Sequence, residues 1–400
     1  MFNHWYLAEM IPRSATDTIL RLAKGFPIVA ITGPRQSGKT TLAKTAFPEK
    51  PYLSLEDPDI QAIAESDPRR LLAAYPDGAI LDEVQRTPQL FSYLQTRVDA
   101  DLRPGMFVLT GSQQFGLLSG VTQSLAGRVG MVELLPFSLA ELHSGGRLAK
   151  NPDELIYRGG YPPLYDRDLH PSDWFAAYMT TYVERDVRQR INVRDLSLFQ
   201  RFVKMCAART GQLLNLSSLS NDCGITHNTA AAWISVLEAS YVVHLLQPHY
   251  RNFNKRLIKA PKLYFCDAGL AAWLVGIRNP EDVAFHALRG NLFETLIVME
   301  FLKNCYNAGN PSNLFFWRDS RGLEIDLLLE RGEELLPIEI KSGATVVSDF
   351  MNNLKQWCVL SGNANQRSWL VYGGDMTIDG ETTRIIPWNR LVDILPAVNG

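Results

Sequence analysis

Between Gly33 and Thr41 the chain reads Gly-Pro-Arg-Gln-Ser-Gly-Lys-Thr-Thr, and its spacing is that of a loop built to wrap phosphate. Such a loop needs small residues, so that consecutive N–H groups converge on anionic oxygens, and a helix start that adds the positive end of its dipole. Gly33 and Gly38 supply the freedom, and Pro34, Arg35, Gln36, Ser37 and Thr41 complete the wrap. Lys39 is placed to reach β- and γ-phosphates as a point charge, and the Thr40 hydroxyl to hold Mg²⁺. ATP and Mg²⁺ are therefore the expected cofactors, and no Asn-Lys-x-Asp guanine-reading motif argues for GTP.

Three further positions extend this chemistry. Gly78-Ala79-Ile80-Leu81-Asp82-Glu83 is an apolar strand ending in two carboxylates. Asp82 is assigned to the Mg²⁺ shell and Glu83 to an attacking water, although an apolar run ending in Asp-Glu is also an ordinary solvated strand end. Phe107 to Ser112 is a second buried-strand pattern whose polar end should lie at the ligand crevice, which makes Ser112 a sensor of the γ-phosphate. Arg128, alone in the apolar Leu125-Ala126-Gly127-Arg128-Val129, suits a finger that meets developing phosphate charge, in cis or across a subunit boundary; the competing reading is a surface ion pair.

A separate cluster lies near the C-terminus. Alternation along Ile338-Glu339-Ile340-Lys341 puts Glu339 and Lys341 on one strand face. Asp326 falls beside them across a hairpin turning at Glu330–Glu334, and Glu294 enters from a preceding helix. Carboxylates at 294, 326 and 339 around a lysine are what metal-dependent phosphodiester cleavage needs: oxygens for Mg²⁺ and a cation to position water. The competing reading is a solvent-facing hairpin with a cross-strand Glu–Lys pair.

The elements that must hold these groups follow from periodicity. Apolar runs at 28–32, 52–55, 79–81, 106–110 and 131–134 alternate with helical or loop material, which predicts a parallel sheet with helices on both faces. Gly, Pro and Asp dominate from about 145 to 167, as in Gly159-Gly160-Tyr161-Pro162-Pro163, and punctuate the chain. A helical pattern from Trp174 to Phe202 follows. Leu213 to Tyr250 reads as helix, turn at Gly224, helix and strand, a winged-helix-like segment. Four regions result: an α/β ATPase core over 1–144, a linker and helical segment over 145–210, the winged-helix-like segment over 211–262, and an α/β domain over 263–400.

At 400 residues and a net charge of -2, the chain is long enough for several cores and has no overall pull toward a polyanion. Its charge is unevenly spread: residues 182–262 hold 12 Lys and Arg against 5 Asp and Glu. That basic segment is the candidate for DNA, through Arg251, Lys255, Arg256, Lys259 and Lys262; the second helix of the winged-helix-like segment has no Lys or Arg, which favours a protein partner instead. Five cysteines without a C-x-x-C pair, no export signal and no long apolar run point to a cytoplasmic chain without a membrane span.

Together these stretches resemble the AAA-type ATPases of bacteria and archaea that carry a C-terminal domain of unknown function. GPRQSGKTTL (33–42), LDEVQ (81–85), LTGSQ (109–113), LAGRV (125–129) and LPFSLAEL (135–142) carry the resemblance, which extends over about residues 20 to 345. It implies an α/β ATPase core, an arginine finger at Arg128 and a sensor at Ser112. The C-terminal cluster resembles the restriction-endonuclease-like Asp…Glu-x-Lys pattern, here Asp326…Glu339-Ile340-Lys341. Two functions stay open: an ATP-driven nuclease, and an ATP-fuelled switch whose nuclease-like fold only docks a partner. Oligomerisation is open as well.

Overall fold

The computed structural model describes residues 10–112, 124–167, 169–183, 196–250, 257–362 and 367–395, and the chain gathers into two units. The first runs to Phe137 and is completed by two short returns, Ala239–Tyr241 and Tyr306–Pro311. Its sheet is formed by β1 (Ile28–Thr32), β2 (Tyr52–Ser54), β3 (Ile80–Asp82), β4 (Phe107–Gly111) and β5 (Val129–Glu133). All pairings are parallel, in the order β2-β3-β4-β1-β5.

A parallel pair cannot be closed by a tight turn, so helices return the chain between strands. They are α2 (Lys39–Ala46), α3 (Pro58–Ser66), α4 (Pro68–Ala73) and α5 (Leu90–Ala100), while α1 (Thr16–Ala23) precedes β1 and packs its Ile19 on the sheet. Because both faces are covered, β1 is apolar from Ile28 to Ile31 instead of alternating, and all five of its residues, Thr32 included, are buried. Ile28 and Ala30 pack in one layer with Leu53, Leu81, Leu109, Leu71 and Leu94. Val29 and Ile31 pack in the other with Ile80, Val108, Ile19, Leu42 and Phe47. Each of the larger of these side chains, Ala30 aside, contributes about 1.5–3 kcal/mol through burial.

The second unit holds Ser138–Glu238, Val242–Cys305 and the chain from Ser312. Within it β6 (Gln212–Leu213), β7 (Val243–Leu246) and β8 (Lys262–Phe265) form an antiparallel sheet in the order β6-β8-β7. Helices Leu216–Cys223 and His227–Ala239 lie between β6 and β7 in the chain, and Gly224 takes the left-handed conformation (φ 69°) that ends the first of them.

A six-stranded mixed sheet follows, from β9 (Leu314–Arg318), β10 (Glu324–Arg331), β11 (Glu334–Lys341), β12 (Ser368–Tyr372), β13 (Ile378–Asp379) and β14 (Thr383–Pro387). Its order is β13-β14-β12-β11-β10-β9, with β12 parallel to both β11 and β14. The hairpin between β10 and β11 pairs Arg331 with Glu334. The tryptophans Trp317 and Trp357 are fully buried in its core with Ile325, Leu328 and Leu354. All five cysteines are buried and in no disulfide, and among the described residues no helix is long and apolar enough to cross a membrane.

The stretch 145–210, expected as linker and helix, is packed into this second unit. Its prolines are helix starters: Pro152, Pro163 and Pro171 each open a helix, where the missing N–H costs nothing. Tyr161 and Phe175 are fully buried. The Gly-Gly-Tyr-Pro turn also acquires a cause. Asp267 caps the helix Ala268–Leu274 through Leu270 N–H (2.9 Å) and accepts a second bond from Gly160 N–H (2.7 Å). Gly159 has φ 72°, and a Cβ there would overlap the Asp267 carboxylate. Residues 184–195 of the expected helix lie outside the described residues.

Losing a buried cap together with a second acceptor should be expensive. Asp267→Ala is expected to destabilise the protein by about 2–4 kcal/mol, read as a lower denaturant midpoint with unchanged slope.

Candidate functional site

In a parallel sheet every strand delivers its carboxyl end to the same edge, and in the first unit that edge carries the chemistry. Thr32 ends β1, and Gly33 follows at φ 146°, where a Cβ would overlap the Leu134 carbonyl. Gly38 is left-handed (φ 91°) at the N-cap of α2, and Gln36 adopts φ 59° despite its side chain. These signs of φ curl residues 33–38 into a closed loop. Lys39 is 5% exposed, and its Nζ donates to the Gly33 (3.0 Å) and Pro34 (2.7 Å) carbonyls, so the ammonium sits within the curl.

The loop is also tied from outside. Arg13 donates to the Ser37 carbonyl (2.5 Å) and the Leu135 carbonyl (2.7 Å) while lying over the Phe137 ring. At its base the Thr32 hydroxyl shares a 2.8 Å hydrogen bond with Tyr241, whose own backbone is left-handed (φ 56°). Tyr241 also bonds Glu133, and burial pushes that carboxyl above its ordinary range. Neither Arg13 nor Tyr241 is legible as a site residue in the sequence, since each is far along the chain from the motif it holds.

Asp82 closes β3 beside this loop. Its carboxylate accepts from Thr40 Oγ1 (3.1 Å to each oxygen), from Tyr52 OH (2.7 Å) and from Thr110 Oγ1. The hydroxyl of Thr40 and the carboxylate of Asp82 thus converge as hard oxygen donors, a set that fits Mg²⁺. Glu83 turns left-handed (φ 54°), and its Oε2 accepts from Ser112 Oγ (3.0 Å) and from the Gln85 amide. The residues at 33–41, 82, 83 and 112 are therefore brought together at one edge.

Arg128 is not. It immediately precedes β5, and β5 pairs with β1 from Ile28↔Val129, so Arg128 lies at the amino edge of the sheet. Five residues of strand, about 16 Å, separate the two edges. There its guanidinium grips Asp99 with two bonds (2.5 and 2.9 Å). This corrects the expectation of a finger acting in cis: the surface ion pair is what the fold builds.

In the second unit β10 and β11 place Asp326, Glu339 and Lys341 side by side. Lys341 Nζ is 2.6 Å from Glu339 Oε1 and 3.6 Å from Asp326 Oδ2, which also accepts from Ile340 N–H (2.9 Å). Glu339 is 1% exposed, and its Oε2 has no hydrogen-bond partner. Burial, reinforced by the Asp326 charge, pushes its carboxyl up to about 8. Burial excludes a solvent-facing hairpin at Asp326 and Glu339, whereas the Lys341 side chain stays half-buried.

The expected metal set of Glu294, Asp326 and Glu339 does not form. Among the described residues no group of three His, Cys, Asp or Glu side chains is arranged around a common metal position. The ammonium of Lys262 stands among the carboxylates instead, 2.9 Å from Glu294, paired with Glu324, and 4.0 Å from Asp326. Burial pulls its pKa down, but the surrounding Tyr264, Glu294, Asp326 and Glu324 hold it well above the usual lysine value. Divalent metal thus does not fit this cluster as built. Lys262 is 2% exposed, which also removes it from the basic surface expected for DNA; Arg251, Lys255 and Arg256 lie outside the described residues.

Comparison with known proteins gives three family models in tandem: an AAA domain over residues 25–143, a domain of unknown function (DUF8612) over 149–281, and another (DUF4143) over 289–391. An uncharacterized protein of Mycobacterium tuberculosis, Rv2008c, is 31% identical over 337 residues, covering 83% of this chain and 74% of its own. An uncharacterized protein of Haemophilus influenzae is 24% identical over 370 residues, covering 84% and 85%. Among solved structures, the Walker-type ATPase paby2304 of Pyrococcus abyssi aligns at 14% identity and a TM-score of 0.47 over 67% of this chain and 99% of its own. AMPPCP-bound DnaA of Aquifex aeolicus aligns at 16% and 0.30 over 56% and 85%.

Two measurements probe the buried charges. Glu339 binds its proton more tightly folded than unfolded, so its contribution to stability is complete below about pH 4.5 and is lost as pH rises through 8. Denaturation of the wild type at pH 5 and pH 8 should show that loss, and Glu339→Gln should flatten it. Lys262→Met removes the buried cation that faces Glu294, Glu324 and Asp326, leaves Glu294 with only the Tyr264 hydroxyl, and is expected to cost about 3–5 kcal/mol in the same assay.

Proposed function

Because the chain belongs to the family of ATPases that joins an AAA domain to the C-terminal domain DUF4143, we propose that it is a Mg²⁺-dependent ATPase whose second unit is the output of a nucleotide switch. The observation that supports hydrolysis is the meeting of Lys39, Thr40, Asp82, Glu83 and Ser112 at one sheet edge. In this reading the N–H groups of 33–41 wrap the phosphates and Lys39 exchanges its two loop carbonyls for phosphate oxygens. Thr40 and Asp82 hold Mg²⁺, which when bound neutralises phosphate charge. Glu83 accepts the proton of the attacking water, and Ser112 orients Glu83. Arg128 enters only from a neighbouring copy, so this role requires an oligomer.

For the second unit the docking reading has the better support. Lys262 occupies Glu294 and Glu324 and approaches Asp326, the helix His227–Ala239 has no Lys or Arg, and Arg209 is engaged by Asp222. These favour a protein partner over cleavage of DNA. One observation supports the nuclease reading: Asp326, Glu339 and Lys341 are adjacent, and Glu339 Oε2 is an orphaned acceptor. A nuclease-like fold for this unit and a winged-helix-like role for 211–262 belong to the same proposal, as does a cytoplasmic location.

The tests separate the two halves. Lys39→Ala should weaken ATP binding by roughly 10- to 100-fold, whereas Glu83→Gln should keep binding and lower turnover by roughly 10²–10⁴. Incubation with supercoiled, linear and single-stranded DNA plus Mg²⁺ or Mn²⁺ and ATP should give no cutting that Asp326→Asn abolishes. Cutting lost in that variant, with ATP hydrolysis intact, would instead establish the nuclease.

A further inference from the structure

Of the three hydroxyls on Asp82, Thr40 belongs to the first turn of α2, which the phosphate-wrapping motif itself predicts, and Thr110 to the neighbouring strand β4. The third is that of Tyr52. This residue starts β2, the edge strand on the far side of β3, and reaches across to place its OH 2.7 Å from Asp82 Oδ2. Its ring is held from the other side by Lys44 of α2, whose Nζ lies 3.4 Å from the ring centroid. The phenol is therefore clamped between the helix that carries Thr40 and the carboxylate that faces it.

We propose that Tyr52 is a positioning residue for the divalent cation: its hydroxyl holds Asp82 Oδ2 so that the carboxylate keeps one rotation toward Thr40. The inference rests on the ATPase reading above. A carboxylate at a strand end turns about its terminal bond with little hindrance, because that torsion is broad. Thr40 cannot by itself stop the turning, since its hydroxyl is equidistant from both oxygens (3.1 Å). Thr110 is fixed to Oδ1 and Tyr52 to Oδ2, so the two hydroxyls hold opposite oxygens and together break this symmetry. A tyrosine hydroxyl carries its proton through the physiological range and so can serve as a donor here. Tyr52 does not touch the phosphates in this reading and takes no part in proton transfer.

The experiment compares wild type with Tyr52→Phe, which keeps the ring beneath Lys44 and deletes the hydroxyl. Affinity for a fluorescent ATP analogue is measured in EDTA and across a Mg²⁺ titration, and Mn²⁺ bound to the protein–nucleotide complex is followed by electron paramagnetic resonance. The expected result is affinity in EDTA within about twofold of wild type and a Mg²⁺ requirement raised roughly tenfold, as for loss of a hydrogen bond to a charged group. The Mn²⁺ affinity should fall in parallel. Lys44→Gln, which keeps the hydroxyl and frees the ring, should shift the Mg²⁺ requirement in the same direction by less. A folded Tyr52→Phe protein with an unchanged Mg²⁺ titration and unchanged Mn²⁺ affinity overturns the inference while leaving the ATPase reading intact. Failure of the wild type to bind nucleotide under any of these conditions overturns both.

Discussion

Asp82 is where four separate pieces of chain meet, and the first unit depends on that meeting. Thr40, Tyr52 and Thr110 come from α2, β2 and β4, and all three point their hydroxyls at one carboxylate that is 7% exposed. A buried carboxylate without donors would be costly, so these bonds hold the strand ends in a common plane as well as satisfying the charge. The parallel sheet makes the convergence possible by delivering all its carboxyl ends to one edge. Neighbouring strain falls at the same edge: Gln36 and Glu83 are both left-handed without being glycine, and each sits beside a group assigned to chemistry.

The second unit is organised by a different constraint, the neutralisation of buried charge. Glu294, Glu324, Asp326 and Glu339 lie together in an interior that tolerates no isolated ion, and Lys262 and Lys341 are the cations set among them. With Glu339 raised toward protonation, the opposing charges come close to balance without any bound cation. A lysine in this position turns what reads as a metal site into a self-contained ion cluster. Glu300, buried and bonded to Lys303 and to the Leu139 N–H, and Asp267, bonded to two N–H groups, follow the same rule elsewhere in the unit. Buried acids here act as fasteners between segments distant in sequence.

Local chemistry was open to reading from the amino-acid order. The glycines, lysine and threonines of 33–41 are contiguous, and their function depends on backbone freedom and a helix start, both encoded within a few residues. The central strands β1, β3 and β4 announce themselves because burial on both faces demands unbroken apolar runs, whereas β2 and β5 at the edges of the sheet are only partly buried. The alternation that puts Glu339 and Lys341 on one face is a property of any extended strand, and the hairpin that brings Asp326 beside them needs only a glycine turn at Gly332.

What only the tertiary structure decided is which distant group arrives at each of these places. Arg128 is one residue before a strand, and its distance from the loop follows from strand direction and register, which send it to the opposite edge and onto Asp99. Lys262 looks like one more surface cation in a basic stretch until β8 carries it into the carboxylates. Tyr52 is an aromatic at a strand start with no pattern to mark it, and Asp267 is an acid more than 100 residues from the glycine turn it holds. Motifs are local because backbone geometry is local; partners of a buried charge are set by packing, and packing depends on the whole chain.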